Sequence, residues 1–228
     1  MEIKIKKKNF YKYLVGVAVI IVLVVFLVGV FNPVSDEKSF KIFENNSLFP
    51  SLGPDNAQTT VIEFYDFQCP WCAVASGLAT WAKESVNTNQ NVAAVFNASG
   101  KMEALAKNGK IKFVSVSMSF LGEESTNAAE AAFCADDQGK FWEMHDAIFS
   151  ANTGNENAGV FTKNNLETIA KNVKGLDLNQ FNKCLENSEK LSEVREVNKI
   201  ANNFATSTPT FFINGRKATI GEIQGLNF

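Results

Sequence analysis

The run Val61-Ile62-Glu63-Phe64-Tyr65-Asp66-Phe67-Gln68-Cys69-Pro70-Trp71-Cys72 decides the fold. Its first seven residues, β-branched and aromatic apart from two acids, read as a strand, and Ala73 to Lys83, free of proline and with one glycine, reads as a helix. Two cysteines separated by Pro70 and Trp71 therefore stand where a strand hands over to a helix. At a helix N-terminus the unpaired N–H groups and the positive end of the dipole favour an anion, so the Cys69 thiol is expected to ionise more readily than a free cysteine. Pro70 suits the first helical turn, where a missing N–H costs nothing. The pattern points to thiol-disulfide exchange. An inert disulfide and half of a zinc site are the competing readings. Zinc is disfavoured because the remaining cysteines, Cys134 and Cys184, are isolated from each other and the one histidine is His145.

The 228-residue chain carries 22 basic and 24 acidic residues. Leu14 to Phe31 forms an unbroken apolar stretch, long enough to cross a hydrocarbon core, and Lys4, Lys6, Lys7, Lys8 and Lys12 precede it. That arrangement predicts a cytoplasmic basic N-terminus over 1–13, a single transmembrane signal anchor over 14–31, and an extracytoplasmic remainder. A cleaved signal peptide is the alternative, and Phe31-Asn32-Pro33-Val34-Ser35 lacks its small-residue cleavage pattern. Because the lysine cluster sits before the anchor, the exported part is acidic and carries no nucleic-acid footprint. Four cysteines in an oxidising compartment are free to pair.

Residues 32–59, rich in turn formers, read as a linker with at most one short strand. The globular domain is expected over 60–228. Asn87 to Gly109 reads as a polar excursion plus a short helix, and Ile111 to Val116 as the next strand. A helical insert spans about 123–204. Thr210-Phe211-Phe212-Ile213 then resumes the sheet, Asn214-Gly215 turns it, and Arg216 to Ile220 completes a hairpin. An α/β core interrupted by a helical block follows. Thr208-Pro209 opens the hairpin, where proline is tolerated. Beside a CxxC, a cis bond there would set the Thr208 backbone against the sulfurs, free to pair with an extended substrate. His145 lies in the aromatic stretch Phe141-Trp142-Glu143-Met144-His145-Asp146 and is expected to pack rather than catalyse. Asn45-Asn46-Ser47 and Asn97-Ala98-Ser99 fit a glycosylation acceptor pattern too short to carry weight.

With these blocks in place, the chain from about Thr60 to Ile220 resembles the DsbA-like branch of the thioredoxin superfamily. The likeness rests on Glu63-Phe64 ahead of Cys69-Pro70-Trp71-Cys72, on Ala131-Ala132-Phe133-Cys134-Ala135 with Gln138-Gly139-Lys140-Phe141-Trp142-Glu143, and on Thr208-Pro209-Thr210-Phe211-Phe212-Ile213-Asn214-Gly215. The resemblance implies a thioredoxin-like fold with an inserted helical domain, Cys69 as the attacked sulfur and Cys72 as the resolving one. It makes Glu63 a buried carboxylate that moves protons at the resolving cysteine, against the plain alternative of a solvent-facing edge residue. It makes Thr208 and Pro209 the substrate-binding cis-proline segment. It pairs Cys134 with Cys184 as a structural disulfide, worth roughly 4 kcal/mol on a chain-entropy model. Two free thiols or a regulatory pair are the other options.

The same resemblance implies no cofactor beyond the redox-active cysteines. It implies exported cysteine-containing substrates and a membrane quinone-linked thiol oxidase as partner. Disulfide introduction is the expected activity; reduction, isomerisation, or passive peptide binding without turnover are the alternatives. Trp71 departs from the best-known form, which has histidine between the cysteines, and so predicts a weaker oxidant. Such proteins end on a helix against the sheet, whereas only eight residues follow Ile220, which leaves that helix truncated or one sheet face less covered.

Overall fold

The computed structural model describes residues 40–43 and 46–228. Its sheet has the strand order β1-β3-β2-β4-β5, with β1 at Ser51–Leu52, β2 at Thr60–Tyr65, β3 at Lys112–Ser117, β4 at Thr210–Ile213 and β5 at Arg216–Ala218. β2 lies in the middle. It pairs in parallel with β3, setting Glu63 opposite Ser115, and antiparallel with β4, setting Glu63 opposite Phe211. A central strand is covered on both faces, which is why β2 reads as a nearly continuous apolar run.

Alternation along β2 sends its side chains to two different cores. Ile62 and Phe64 pack with Val114, Val116 and Phe212 against Val194, Val197 and Ala201 of the helix Leu191–Ala201. Phe40, Phe43 and Phe49 belong to the same core, with Phe43 edge-on to Phe64 at 5.3 Å between ring centroids. Residues placed in the linker by sequence thus help to close one face of the sheet, and the sheet itself begins at Ser51. The turn-forming residues around them concealed three phenylalanines whose burial contributes roughly 1.5–3 kcal/mol each.

On the other face, Val61 packs with Ala75, Ala98, Met102 and Ile223. The helices here are α1 (Pro70–Ser76), α2 (Thr80–Ser85), α3 (Gln90–Val95) and α4 (Ala98–Lys107). The single helix expected over Ala73 to Lys83 stops at Gly77, which adopts φ 71° and donates its N–H to Val74 O at 3.1 Å. A Cβ at that position would lie 2.5 Å from Asn97 Oδ1, so the left-handed cap and the close approach both require glycine. The chain then makes the excursion α2–α3 and returns at Asn97, whose N–H reaches the same Val74 carbonyl at 3.0 Å.

Between β3 and β4 run α5 (Glu123–Asp136), α6 (Phe141–Ala151), α7 (Lys163–Ala170), α8 (Leu178–Glu186) and α9 (Leu191–Ala201). Alanines 128, 131, 132 and 135 let α5 approach its neighbours closely, and Phe149, Leu166, Phe181 and Leu185 fill the space around it. Cys134 on α5 and Cys184 on α8 are joined as a disulfide, with Cα atoms 5.8 Å apart.

A short helix follows the hairpin. In α10 (Ile220–Gly225) Thr219 and Glu222 form a capping box, and Ile223 is buried. Its first residue was assigned by sequence to the strand, which ends at Ala218. The cap explains the switch, since Thr219 satisfies the first turn and ends the extended run. The transmembrane segment over 14–31 lies outside the described residues; among those described, no helix is long and apolar enough to cross a membrane.

Replacing Cys134 and Cys184 together by alanine is expected to lower the unfolding free energy by about 4 kcal/mol, from the loop the bond closes. Urea titration of parent and variant measures it, and a difference below about 1 kcal/mol would contradict the chain-entropy account.

Candidate active site

Cys69 is the N-cap of α1, with β-region backbone (φ −61°, ψ 120°), and Pro70 occupies the first helical position. The turn that delivers it is fixed from below. Asp66 Oδ1 accepts from the Gln68 N–H at 2.8 Å and from Ser125 Oγ at 2.7 Å, while Oδ2 accepts from the N–H groups of Phe120 and Leu121. Gln68 in turn donates to Ser125 Oγ at 3.0 Å and accepts from Asn157 N–H at 2.6 Å. Asn152 Nδ2 donates to Phe67 O at 2.9 Å. The helical block between β3 and β4 therefore holds the turn before Cys69 through polar side chains, and burial keeps the Asp66 carboxyl above its usual range although the bonds it accepts pull it down.

The two sulfurs occupy different surroundings. Both cysteines are free thiols; Cys69 retains 6% exposure and Cys72 1%. Hydrogen bonding from the Cys72 thiol lowers the Cys69 pKa most, ahead of the raising effect of burial, and the Thr208 side chain and the N–H groups of Cys72 and Trp71 lower it further, to about 7. Cys72 is pushed well up, first by burial and then by its bond and proximity to Cys69. One sulfur is a ready anion and good leaving group; the other holds its proton.

Thr208–Pro209 is a cis peptide bond, and Cys69 Sγ lies 3.5 Å from Thr208 O. Trp71, 43% exposed, stands between two uncharged grooves. One runs past Val74, Trp81 and Val92; the other runs past Val95, Thr208 and Pro209.

Beneath the thiols, Glu63 sits on the face of β2 that carries Val61 and Tyr65. It is buried, accepts from Ser99 Oγ at 2.7 Å, and is raised from 4.5 to about 8, chiefly by burial, with smaller raising contributions from the charges of Glu103 and Cys69. Cys69, Cys72, Pro70, Trp71, Glu63, Thr208 and Pro209 thus converge on the C-terminal end of β2. Cys134 and Cys184 stand apart, joined within the helical block.

His145 is 2% exposed and packs among the rings of Tyr65, Phe67, Trp142 and Phe149, with Nδ1 3.0 Å from Asp146. Among the described residues, Glu103, His145 and Asp146 form a grouping with possible metal-ligand atoms within 4.8 Å of one another, and Glu103 is paired there with Lys107. Sequence reasoning did not single out Ser99, Gln68 or Asn152. Asp66 was read only as one of two acids in the strand run. The one local signal was Asp66 two residues before Gln68, the spacing of an Asx turn.

A family model described as thioredoxin matches residues 92–224, more than half of the chain and all of the segment that carries Thr208–Pro209, and the chain belongs to that family. The match begins after the CxxC. Among curated relatives, "Probable disulfide bond formation protein D" from Bacillus anthracis is 27% identical over 207 residues, covering 87% of this chain and 85% of that one. Oxidised BdbD from Bacillus subtilis superposes with a TM-score of 0.60 at 23% identity, over 78% of this chain and 88% of that structure. The thiol-disulfide exchange protein alpha-DsbA2 from Wolbachia pipientis gives 0.61 at 20% identity, over 83% and 91%. These three carry names of disulfide formation and thiol-disulfide exchange, whereas other relatives do not: the Na(+)/H(+) antiporter NhaA 1 of Salinispora arenicola is 29% identical over 166 residues, 72% of this chain and 21% of that one.

Two measurements follow. The rate of Cys69 alkylation in the reduced protein is expected to rise with pH through a midpoint near 7; a midpoint near that of a free thiol, about 8.5, would contradict the site's electrostatics. Glu63 is raised in the fold, so the stability held by its neutral form is complete below about pH 4.5 and is lost as pH climbs to about 8. The loss is at most about 1.4 kcal/mol per pH unit. In denaturant titrations across that window, Glu63→Gln should flatten the decline and be more stable than the parent at pH 7.

Proposed function

We propose that this protein is a membrane-anchored, extracytoplasmic thiol-disulfide oxidoreductase that introduces disulfides into exported proteins through Cys69 and Cys72. The observation that carries the reading is the inequality of the two thiols: an acidic sulfur, 6% exposed, at a helix start, next to one 1% exposed whose ionisation is opposed. In the oxidised protein a substrate thiolate attacks Cys69, the S–S bond breaks, and Cys72 leaves with the electron pair and takes a proton from Glu63. A second substrate thiolate then attacks its partner sulfur in the mixed disulfide, Cys69 leaves as a stabilised thiolate, and the substrate disulfide closes. Thr208 offers backbone groups beside Cys69 for an extended substrate segment, and the grooves flanking Trp71 offer apolar contact.

The anchor is the segment 14–31, with residues 1–13 on the cytoplasmic side, and the domain from residue 60 onward carries the chemistry. A quinone-linked thiol oxidase in the same membrane would reoxidise Cys69 and Cys72; no further cofactor enters the scheme. The acidic thiol near 7 favours a second reading, because it matches the value of a thioredoxin more closely than that of a strong oxidant. Reduction or isomerisation of substrate disulfides by the same pair is that reading.

Equilibration of the purified domain with glutathione distinguishes the two. A reduction potential well above about −270 mV supports disulfide introduction, and a value near it supports reduction. The Cys72→Ala variant, expressed in the full chain, is expected to accumulate mixed disulfides with exported proteins. If none forms although Cys69 still alkylates, exchange gives way to passive peptide binding.

A further inference from the structure

Below the active site lies a set of titratable groups that the exchange chemistry leaves unused. Ser99, Glu103 and Lys107 are spaced by four along α4 and so share one side of that helix. The first donates to Glu63 at 2.7 Å. Glu103, itself buried, is close enough for its charge to act on Glu63. Lys107 Nζ lies 2.9 Å from Glu103 Oε2, and its side chain is 53% exposed. The row therefore runs from the sealed carboxyl under the cysteines to water.

Other elements contribute to the same surroundings. From β2, Tyr65 faces Glu63, and its hydroxyl accepts from Ser115 Oγ of β3 at 2.9 Å. From α1 come Cys69 and Cys72. From α6, His145 and Asp146 approach Glu103, and the charges of Asp146 and Glu143 act on Lys107. Of these groups, Ser99 is buried and already hydrogen-bonded to Glu63, and burial pushes the Tyr65 hydroxyl far up. Glu103 is the group that both senses Glu63 and touches a side chain in solvent.

We propose that Glu103 is the proton carrier between Glu63 and bulk water, with Lys107 at its outer end. The inference rests on the reading of Glu63 as the proton donor to Cys72. When the S–S bond breaks, Cys72 leaves with the bonding electrons and takes the proton of the Glu63 carboxyl. Glu103, a carboxylate beside the Lys107 ammonium, takes a proton from solvent and passes it to the Glu63 carboxylate, returning to its charged form. One proton enters per Cys72 thiolate quenched, no electron passes through the carboxylates, and the sequence runs backwards when Cys72 is reoxidised. Glu63 is shut off from solvent and cannot reload itself; the helix α4 supplies the missing link.

The test is the rate of Cys72-dependent exchange with a model peptide dithiol, followed by rapid mixing from about pH 5 to 9. Glu103→Gln is expected to slow it on the order of tenfold below pH 8, less than the 10²–10⁴ that a directly acting acid–base group supplies. It should also move the limb governed by Glu63 to lower pH, since a neighbouring negative charge is gone. Glu103→Asp should recover most of the rate, which a packing role for the side chain would not give. Should the Gln variant not fold, Lys107→Met reads the same coupling, because removing the cation moves the Glu63 limb to higher pH. An unchanged limb in that variant overturns the proposal. A parental profile in Glu103→Gln alongside an altered one in Glu63→Gln overturns the role of Glu103 alone; parental profiles in both overturn the reading of Glu63 as well.

Discussion

A carboxyl group buried in the middle strand of the sheet is the constraint from which the rest of the site follows. Desolvation makes its charged form expensive, so Glu63 stays protonated toward neutral pH. A polar group there needs partners, and α4 supplies one through Ser99. The same burial that keeps Glu63 neutral surrounds Cys72 and holds its thiol un-ionised. Cys69, at the helix start, meets N–H groups and the Cys72 thiol instead and ionises more readily. A difference in solvation over a few ångströms separates the two sulfurs chemically, and the sheet creates that difference by burying β2 on both faces.

The helical block between β3 and β4 supports this arrangement at close quarters. Gln68 and Asn152 tie the turn before Cys69 to α5 and to the segment after α6, so the position of Cys69 depends on residues far away in sequence. Asp66 collects four donors from three separate segments and closes the turn locally.

Much of the fold was legible where local chemistry and pattern agree. The apolar run before Cys69-Pro70-Trp71-Cys72 became the central strand, and Thr210 to Ile213 with its Asn-Gly turn became a hairpin, because strand periodicity and turn residues are local properties. Phe40, Phe43 and Phe49 were not read as core, since isolated phenylalanines among turn formers show no period. The break at Gly77 was missed for a similar reason: one glycine in a helical pattern is ambiguous until Asn97 is known to press on it. Ser99, Gln68 and Asn152 carry common side chains and acquire meaning only from partners 36 or more residues away. The resemblance of whole motifs brought Glu63 forward; composition and spacing alone left it as one acid in a strand.

The excursion between α1 and α4 leaves and rejoins the core at a single point, the Val74 carbonyl, which receives the N–H groups of both Gly77 and Asn97. Its two ends are thus already neighbours when the detour is ignored. In such a geometry the intervening span can be shortened, lengthened or exchanged at modest entropic expense, because closing a loop grows costlier only with the logarithm of its length. The constraint on the wall beside Trp71 is therefore local: Ala79, Ala82 and Val92 must still fill the core they share with the two sulfurs.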